Sequence, residues 1–303
     1  MAFPTETVYG LGASAVSAIA VAKIFEAKQR PSFDPLIVHI PEDSWLDLVV
    51  ASVPAIGREL TERFWPGPLT LVLPRQPGIP SLVSSGLDTV GVRMPNHELA
   101  RSLIEQAGVP IAAPSANLFG RTSPTTAQHV LDQLGDRIDY VLDGGPCSVG
   151  VESTVVRIVD ETIVVLRPGG LTLEELRSVG NVSYSATEGT DSAHVSPGQT
   201  LQHYAPLTKL RIRDKPVRTD QESGLRVGLL SNLACSSDDF DAVEVLSSDP
   251  AEAATQFFAA LRRLDSAGLH CIIATPFADE GLGVALNDRL KRAAAKPLQD
   301  ATD

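Results

Sequence analysis

Six short β-branched runs, alternating with helical stretches, constrain the first part of this chain more than any other feature. They are Ile37–Ile40 (IVHI), Thr70–Pro74 (TLVLP), Thr89–Met94 (TVGVRM), Val109–Pro114 (VPIAAP), Ser153–Val159 (STVVRIV) and Thr162–Pro168 (TIVVLRP). Such runs, punctuated by Pro, Gly and Asp, read as strands. Helices are expected over Ala15–Ala27, Pro54–Phe64, His97–Ala107, Thr126–Leu134 and Thr172–Val179, the last opening with the Thr172 to Glu175 spacing of a capping box. From Ala13 to about Leu176 the pattern is that of one α/β domain.

Between about Gly180 and Pro206 the chain turns poor in aliphatics and rich in Ser, Thr and Gly (SYSATEGTDSAHVSPGQTLQHYAP), the composition of a long linker. Beyond it, a strand at Arg226–Leu230, a helix from Asp249 to about Asp265, a strand at Cys271–Thr275 and a helix from Leu282 to about Ala295 form a small second α/β domain. The expected organisation is therefore residues 1–180, a linker over 181–207 and a C-terminal domain over 208–303, in line with 303 residues as about two domains. The strand at Arg226 lacks a following G-x-G-x-x-G turn, so no dinucleotide site is read there.

The net charge is −12, with 13 Lys and Arg against 20 Asp and Glu up to Gly180, and 12 against 17 after it. Neither half has a basic stripe of the kind that grips a nucleic-acid backbone, so weak or no direct binding to RNA or DNA, a tRNA included, is expected. Cys147, Cys235 and Cys271 are isolated and form no C-x-x-C pair, which speaks against a disulfide framework and a thiolate zinc site. No apolar run approaches the roughly 18 to 20 residues of a membrane span, and Met1 leads almost at once into a Pro-Thr-Glu turn. A cytoplasmic protein without membrane contact is expected.

Three polar islands carry the chemistry: FPTETVYGLGA at Phe3–Ala13, AKQRP at Ala27–Pro31 and APSANLFG at Ala113–Gly120. Lys28 and Arg30 stand where a helix ends before Pro31, a place where cations also cap the helix dipole. With Ser32 in the extended RPSFDP stretch, a point charge and a forked guanidinium one residue apart suit a polyphosphate. Ser115, Asn117, Arg121, Thr122 and Ser123 follow the apolar strand VPIAA, where a turn either bonds its own backbone or presents donors to an anion. Arg93, inside an apolar strand, must be paired or face a ligand. His39 poses the same choice, Thr5 and Glu6 read equally as a turn, and Ser153 and Arg167 flank strands. The chain has no G-x-x-x-x-G-K-[ST] loop, no G-x-S-x-G turn and no metal-ligand spacing, so catalysis is expected to rest on positioning and charge neutralisation, with Mg²⁺ brought by nucleotide phosphates.

FPTETVYGLGA, KQRP with DPLIVHI, FWPGPLTLVL, GLDTVGVRMP, PIAAPSAN, DGGPCSVGVESTVV and VLRPGGLT occur here in the order of the YrdC-like family, and SPGQTLQHYAP with GLGVALNDRLKRAA resembles its long, two-domain branch. The resemblance covers nearly the whole chain. It implies a YrdC-like twisted mixed sheet with helices, followed by a small Rossmann-like C-terminal α/β domain. It also implies synthesis of L-threonylcarbamoyladenylate from L-threonine, bicarbonate and ATP with Mg²⁺, pyrophosphate being released, for modification of a tRNA adenosine beside the anticodon by downstream threonylcarbamoyl-transferase machinery. By resemblance, Thr5, His39, Arg93, Ala113 and Ser153 hold threonine. Lys28, Ser32, Thr89, Ser115, Asn117, Ser123, Arg167 and Tyr204 take ATP, and Lys28 and Arg30 act in catalysis. The alternative within the same fold is an RNA-binding or ribosome-related protein without synthase activity.

Two structural expectations follow. Ser196–Pro206 crosses the pocket mouth as a lid that brings Tyr204 onto the nucleotide and excludes water. Family members usually carry a helix and most of a strand ahead of the PTET motif, whereas only Met1, Ala2 and Phe3 precede Pro4 here, so an uncovered strand edge and a fraying Thr5 are expected.

Overall fold

The computed structural model describes residues 1–184, 203–233 and 239–295. Among these, the chain divides into two compact units, residues 1–119 with 123–184 and residues 120–122 with 203 onward.

The first unit opens with β1 (Ala2–Phe3) paired antiparallel to β2 (Gly10–Leu11). Its main sheet has eight strands: β3 (Ala13–Ser14), β4 (Ile37–His39), β5 (Leu69–Pro74), β6 (Thr89–Arg93), β7 (Ile111–Ala112), β8 (Thr154–Val159), β9 (Thr162–Arg167) and β10 (Val182–Tyr184). Their order is β10-β9-β8-β5-β6-β4-β7-β3, with parallel pairs β10/β9, β5/β8 and β4/β6 among antiparallel ones, a mixed sheet as expected. The helices α1 (Ala18–Lys28), α2 (Leu46–Val49), α3 (Ala55–Phe64), α4 (Glu98–Ala107), α5 (Ala127–Leu134) and α6 (Leu173–Arg177) complete the unit. Leu36, Val38, Leu60, Leu69, Leu71, Val92, Val156 and Val165 are sealed in one core, each contributing about 1.5 to 3 kcal/mol by leaving water.

Local chemistry sets the helix ends. Ser17 accepts from the Ala20 N–H to start α1, and Gln29 in the left-handed region (φ 52°) ends it, so Lys28 stands in the last turn. Thr126 caps α5 through the His129 N–H, and Thr172 and Glu175 form the capping box read from the sequence. The expected strand at Val109–Pro114 shrinks to β7, because Pro110 and Pro114 supply no N–H to a ladder. Residues 182–184, assigned to the linker by composition, pair with β9 in the register Val182 to Ile163 and belong to the sheet.

The expected exposed edge at the start of the chain is not found. Ala2 and Phe3 are fully buried, the Ala2 N–H donates to the Tyr140 carbonyl, and the Leu142 N–H donates back to the Ala2 carbonyl. A Cβ on Gly12 would lie 2.7 Å from the Phe3 ring and 2.8 Å from Ile111, so only glycine lets β1 pack this closely. Thr5 is buried rather than frayed.

The second unit is a four-stranded parallel sheet of β11 (Lys209–Ile212), β12 (Val227–Ser231), β13 (Ala242–Val245) and β14 (Cys271–Ala274), in the order β11-β14-β12-β13, with α7 (Pro250–Ser266) and α8 (Gly283–Ala294). This is the expected Rossmann-like pattern. The three residues Gly120–Thr122 join it through the Ala205 N–H, which donates to the Gly120 carbonyl at 2.8 Å, and through Arg262, which donates to the Thr122 carbonyl. No helix among the described residues is long and apolar enough to cross a membrane.

One acid organises the start of this unit. Glu222 accepts from Arg211, from Arg213 at 2.7 Å and from the Thr219 hydroxyl and N–H. Hydrogen bonding by Arg213 foremost, with Thr219 adding to it against the effect of burial, brings its carboxyl down to about 2 from an ordinary 4.5. A depressed acid stabilises the fold above its unfolded value and stops doing so as pH falls through its folded value. Protection of the β11 amides against exchange, taken relative to the intrinsic rate at each pH, should therefore fall between about pH 4.5 and 2 in the wild type, and Glu222→Gln should largely remove that fall.

Candidate active site

Lys28 is 1% exposed, and its ammonium donates to the Ser115 and Asn117 carbonyls at 2.5 Å each. The Phe119 N–H returns a bond to the Lys28 carbonyl. The second and third polar islands are thus one structure, and the first is laced to it, since the Leu11 N–H meets the Pro114 carbonyl and the Ala116 N–H the Tyr9 carbonyl, both at 2.8 Å. Burial first, and then the charge of Arg30, push the Lys28 ammonium well below its usual range, against a raising influence of Asp34.

Arg30 is also buried. Its Nε donates to the Asp34 carbonyl and Nη2 to the Pro35 carbonyl, with the Asp34 carboxylate 3.0 Å away and the Phe119 ring 5.8 Å from the guanidinium. These contacts hold the Pro31–Pro35 turn, on which Ser32 is exposed. Asn117 is fully buried, its side-chain amide donating to the Leu118 carbonyl, and Ser115 is half-buried.

A second cluster forms where β4 runs parallel to β6 with His39 opposite Arg93. Arg93 donates from Nη1 to the Thr7 hydroxyl at 2.9 Å and from Nε to the Gly67 carbonyl at 3.3 Å, while Nη2 lies 2.6 Å from a Glu6 carboxylate oxygen. The Thr5 hydroxyl donates to the Val8 carbonyl and lies 2.9 Å from that of Thr7. His39 is buried with its ring edge-on to Phe3 at 6.0 Å, and burial, followed by the Arg93 charge, takes its imidazole down to about 3. Ala113, the residue after β7, donates its N–H to the Ile37 carbonyl of β4.

Ser153 shares a hydrogen bond of 2.8 Å with Thr70, and Arg167 Nη2 donates to both its carbonyl and its hydroxyl. The Ser123 hydroxyl donates to Glu152 at 2.5 Å. Behind them, a Cβ on Gly169 would come within 2.2 Å of the Glu152 carbonyl oxygen, so the Pro-Gly-Gly turn passes in direct contact with the start of β8.

Two predicted residues stand apart. Thr89 begins β6 and Arg93 ends it, about 13 Å of strand between them at the ordinary rise. There Thr89 lines a cavity of about 400 Å³ with Arg157, Val72 and Ser52. Tyr204 belongs to the second unit, buried at φ 63° with the Arg289 guanidinium 4.8 Å from its ring and Phe258 at 5.9 Å. Of the expected lid, residues 196–202 lie outside the described residues. A separate cavity of about 500 Å³ beside α1, lined by Leu11, Lys23, Ile24 and Arg137, contains none of the predicted site residues.

Sequence reasoning left Thr7, Asp34, Thr70 and Glu152 unremarked and Glu6 undecided. Each is a buried polar group bonded to a predicted one. The available signal was a hydroxyl or acid inside an apolar run, as with Thr70 in TLVLP.

Buried cations and hydroxyls gathered by polar loops at the ends of a mixed sheet define an α/β domain built to receive small anionic ligands. A family model described as telomere recombination matches residues 1–169, and one described as threonylcarbamoyl-AMP synthase, C-terminal domain, matches residues 171–295. The chain is 44% identical over 97% of its length to a Threonylcarbamoyl-AMP synthase of Pyrococcus abyssi, covering 89% of that protein, and equally to one of Bacillus subtilis with the same coverage. A protein of that name from Schizosaccharomyces pombe is 35% identical over 97% of the chain and 85% of its own length. A crystal structure of the P. abyssi protein complexed with L-threonine superposes with a TM-score of 0.91 at 42% identity, over 97% of this chain and 89% of that one. This chain belongs to the threonylcarbamoyl-AMP synthase family.

His39 with its lowered value is neutral at physiological pH, and its effect on folding has a definite sign. A folded histidine below its unfolded value of 6.5 adds stability in full above that value and loses it progressively as pH falls towards 3. The His39 ring resonances should show no titration between pH 5 and 8 in a histidine NMR experiment on the folded protein.

Proposed function

We propose that the first unit makes L-threonylcarbamoyladenylate from L-threonine, bicarbonate and MgATP, releasing pyrophosphate. Family membership supports this, as does the complex of the P. abyssi relative with L-threonine. Within the chain, one observation carries it: strand pairing sets His39 beside Arg93, while Lys28 binds the Ser115 and Asn117 carbonyls in the turn that follows the adjoining β7. An amino-acid carboxylate and a polyphosphate each need a cationic cradle, and two such cradles lie on neighbouring strands.

The threonine ammonium and bicarbonate condense to a carbamate, losing water and one proton. A carbamate oxygen then attacks the α-phosphorus, and the bond to the β-phosphate breaks with its electron pair on pyrophosphate. Arg93 takes the threonine carboxylate, with Thr5, neutral His39, Ala113 and Ser153 shaping the rest of that pocket. Lys28, Ser115, Asn117, Ser123 and Arg167 are the nucleotide group, with Ser32 at its rim, and Thr89 and Tyr204 are proposed ATP contacts from outside this cluster. The charge of a phosphate chain opposes the lowering that burial imposes on the Lys28 ammonium, so an adjacent anion favours its charged form. Arg30, committed to its own turn, contributes charge and holds Ser32 in place. Fixed cations stabilise the charge that develops on the phosphorane oxygens and the leaving pyrophosphate. Holding both reactants together removes a further share of the barrier, about 7 to 11 kcal/mol in favourable cases.

Glu6, Asp34 and Glu152 are engaged by Arg93, Arg30 and Ser123, so Mg²⁺ fits here as part of the nucleotide substrate, held by its phosphates. The product passes to a separate transferase that modifies a tRNA adenosine beside the anticodon, in the cytoplasm. An acidic surface balance gives no support to the RNA-binding alternative.

Pyrophosphate release by the purified chain should require L-threonine together with bicarbonate and MgATP. Lys28→Ala should lower the rate at least about a hundredfold, the scale for loss of a preorganised cation. Release without threonine dependence contradicts the assignment.

A further inference from the structure

Arg93 is held in an unusual way for a strand residue. A guanidinium has five N–H donors. Nε meets the Gly67 carbonyl and Nη1 the Thr7 hydroxyl, while Nη2 lies 2.6 Å from a Glu6 carboxylate oxygen in an ion pair that lacks hydrogen-bond geometry. Donors remain on both terminal nitrogens, and one from each can grip a carboxylate in a fork. Both members of the ion pair are 4% exposed. Both Glu6 carboxylate oxygens and Arg93 Nη2 are buried without a hydrogen-bond partner, so charge and proximity alone couple them. Around Glu6 the titratable groups are Arg93, His97 and Cys147, the last two sensing its charge. Burial takes the Cys147 thiol up to about 12 and lowers His97, so Arg93 is the charged neighbour of Glu6 at neutral pH.

The contrast with Arg30 is informative. Arg30 and Asp34 are four residues apart, and the pair closes a turn that also supplies two backbone carbonyls to the guanidinium. Glu6 reaches Arg93 across 87 residues of sequence from a loop whose other side chain, Thr7, orients the same guanidinium. A carboxylate buried here carries a desolvation cost that a hydrophobic residue would avoid, which marks it as retained for orientation.

We propose that Glu6 is a positioning residue for threonine recognition: through its ion pair, and with Thr7, it fixes the Arg93 guanidinium so that donors on the terminal nitrogens face the threonine carboxylate. This rests on the reading of Arg93 as the carboxylate partner. Glu6 does not touch the substrate; it acts through the orientation of Arg93, and its loss should weaken threonine without altering the ATP cradle around Lys28.

The test is calorimetric titration of L-threonine into the wild-type full chain, E6Q and E6D, with KM for ATP measured on each and folding checked by circular dichroism. E6Q, which keeps the shape and removes the charge, should weaken threonine about tenfold, the scale of one charge-assisted hydrogen bond. Its KM for ATP should stay within about twofold, and E6D should recover part of the threonine loss. A folded E6Q with unchanged threonine affinity, or one that loses threonine and ATP by equal factors, overturns the proposal. Should E6Q fail to fold, T7V reads the same orientation: weaker threonine with unaltered ATP supports the proposal, and unaltered threonine overturns it. A wild type that does not bind threonine overturns both the inference and the function on which it rests, whereas a binding wild type with an insensitive E6Q overturns the inference alone.

Discussion

A buried ammonium bonded to two backbone carbonyls is the constraint around which the first unit is arranged. Removing a lysine from water is costly unless its donors are satisfied, and Lys28 meets that demand with the carbonyls of Ser115 and Asn117. The bond fixes the end of α1 against the turn after β7. That turn is held in addition by the Tyr9 and Leu11 backbone of the opening motif, so three segments distant in sequence share one geometry. Once it is set, donors in the turn need no rearrangement to meet an anion, and this is what makes such donors effective in a water-poor site.

The Arg93 cluster is built on the same strands by different means. Parallel register between β4 and β6 aligns His39 with Arg93, and β7 on the other side of β4 brings Ala113 to that region. His39 stays neutral because burial and the neighbouring guanidinium both oppose a second positive charge. A neutral imidazole can bond a hydroxyl or an amine without repelling the ammonium form of an amino acid. The two clusters therefore differ in kind: one pairs a guanidinium with Glu6, the other holds an ammonium on two backbone carbonyls against the lowering that burial imposes.

Much of this was legible in the sequence because it is local. Ser, Asn, Lys and Arg concentrated in loops after apolar strands marked the islands, and the Thr172 capping box was readable from spacing alone. What could not be read was partnership across long separations. Glu6 and Arg93, Thr70 and Ser153, and Ser123 and Glu152 meet only once the sheet order is known. Spacing pairs Arg30 with Lys28 as a phosphate-binding couple but does not reveal that its guanidinium also bonds the Asp34 and Pro35 carbonyls beside the Asp34 carboxylate. Thr89 followed the family pattern and lies at the far end of its strand from Arg93. The two- and three-residue strands β1, β2, β3 and β10 carry no period to detect, and the burial of Ala2 and Phe3 depends on Gly12 leaving room for a ring.

The central claim is that the two clusters serve one reaction joining threonine, bicarbonate and the adenylyl group. Mass spectrometry of the products formed from L-threonine, MgATP and ¹³C-bicarbonate tests it most directly. The account predicts a threonylcarbamoyl adenylate that carries the bicarbonate label in its carbamoyl carbon, released with an equal amount of pyrophosphate. An adenylate without the label, or nucleotide breakdown with no threonine-containing adenylate, would contradict it.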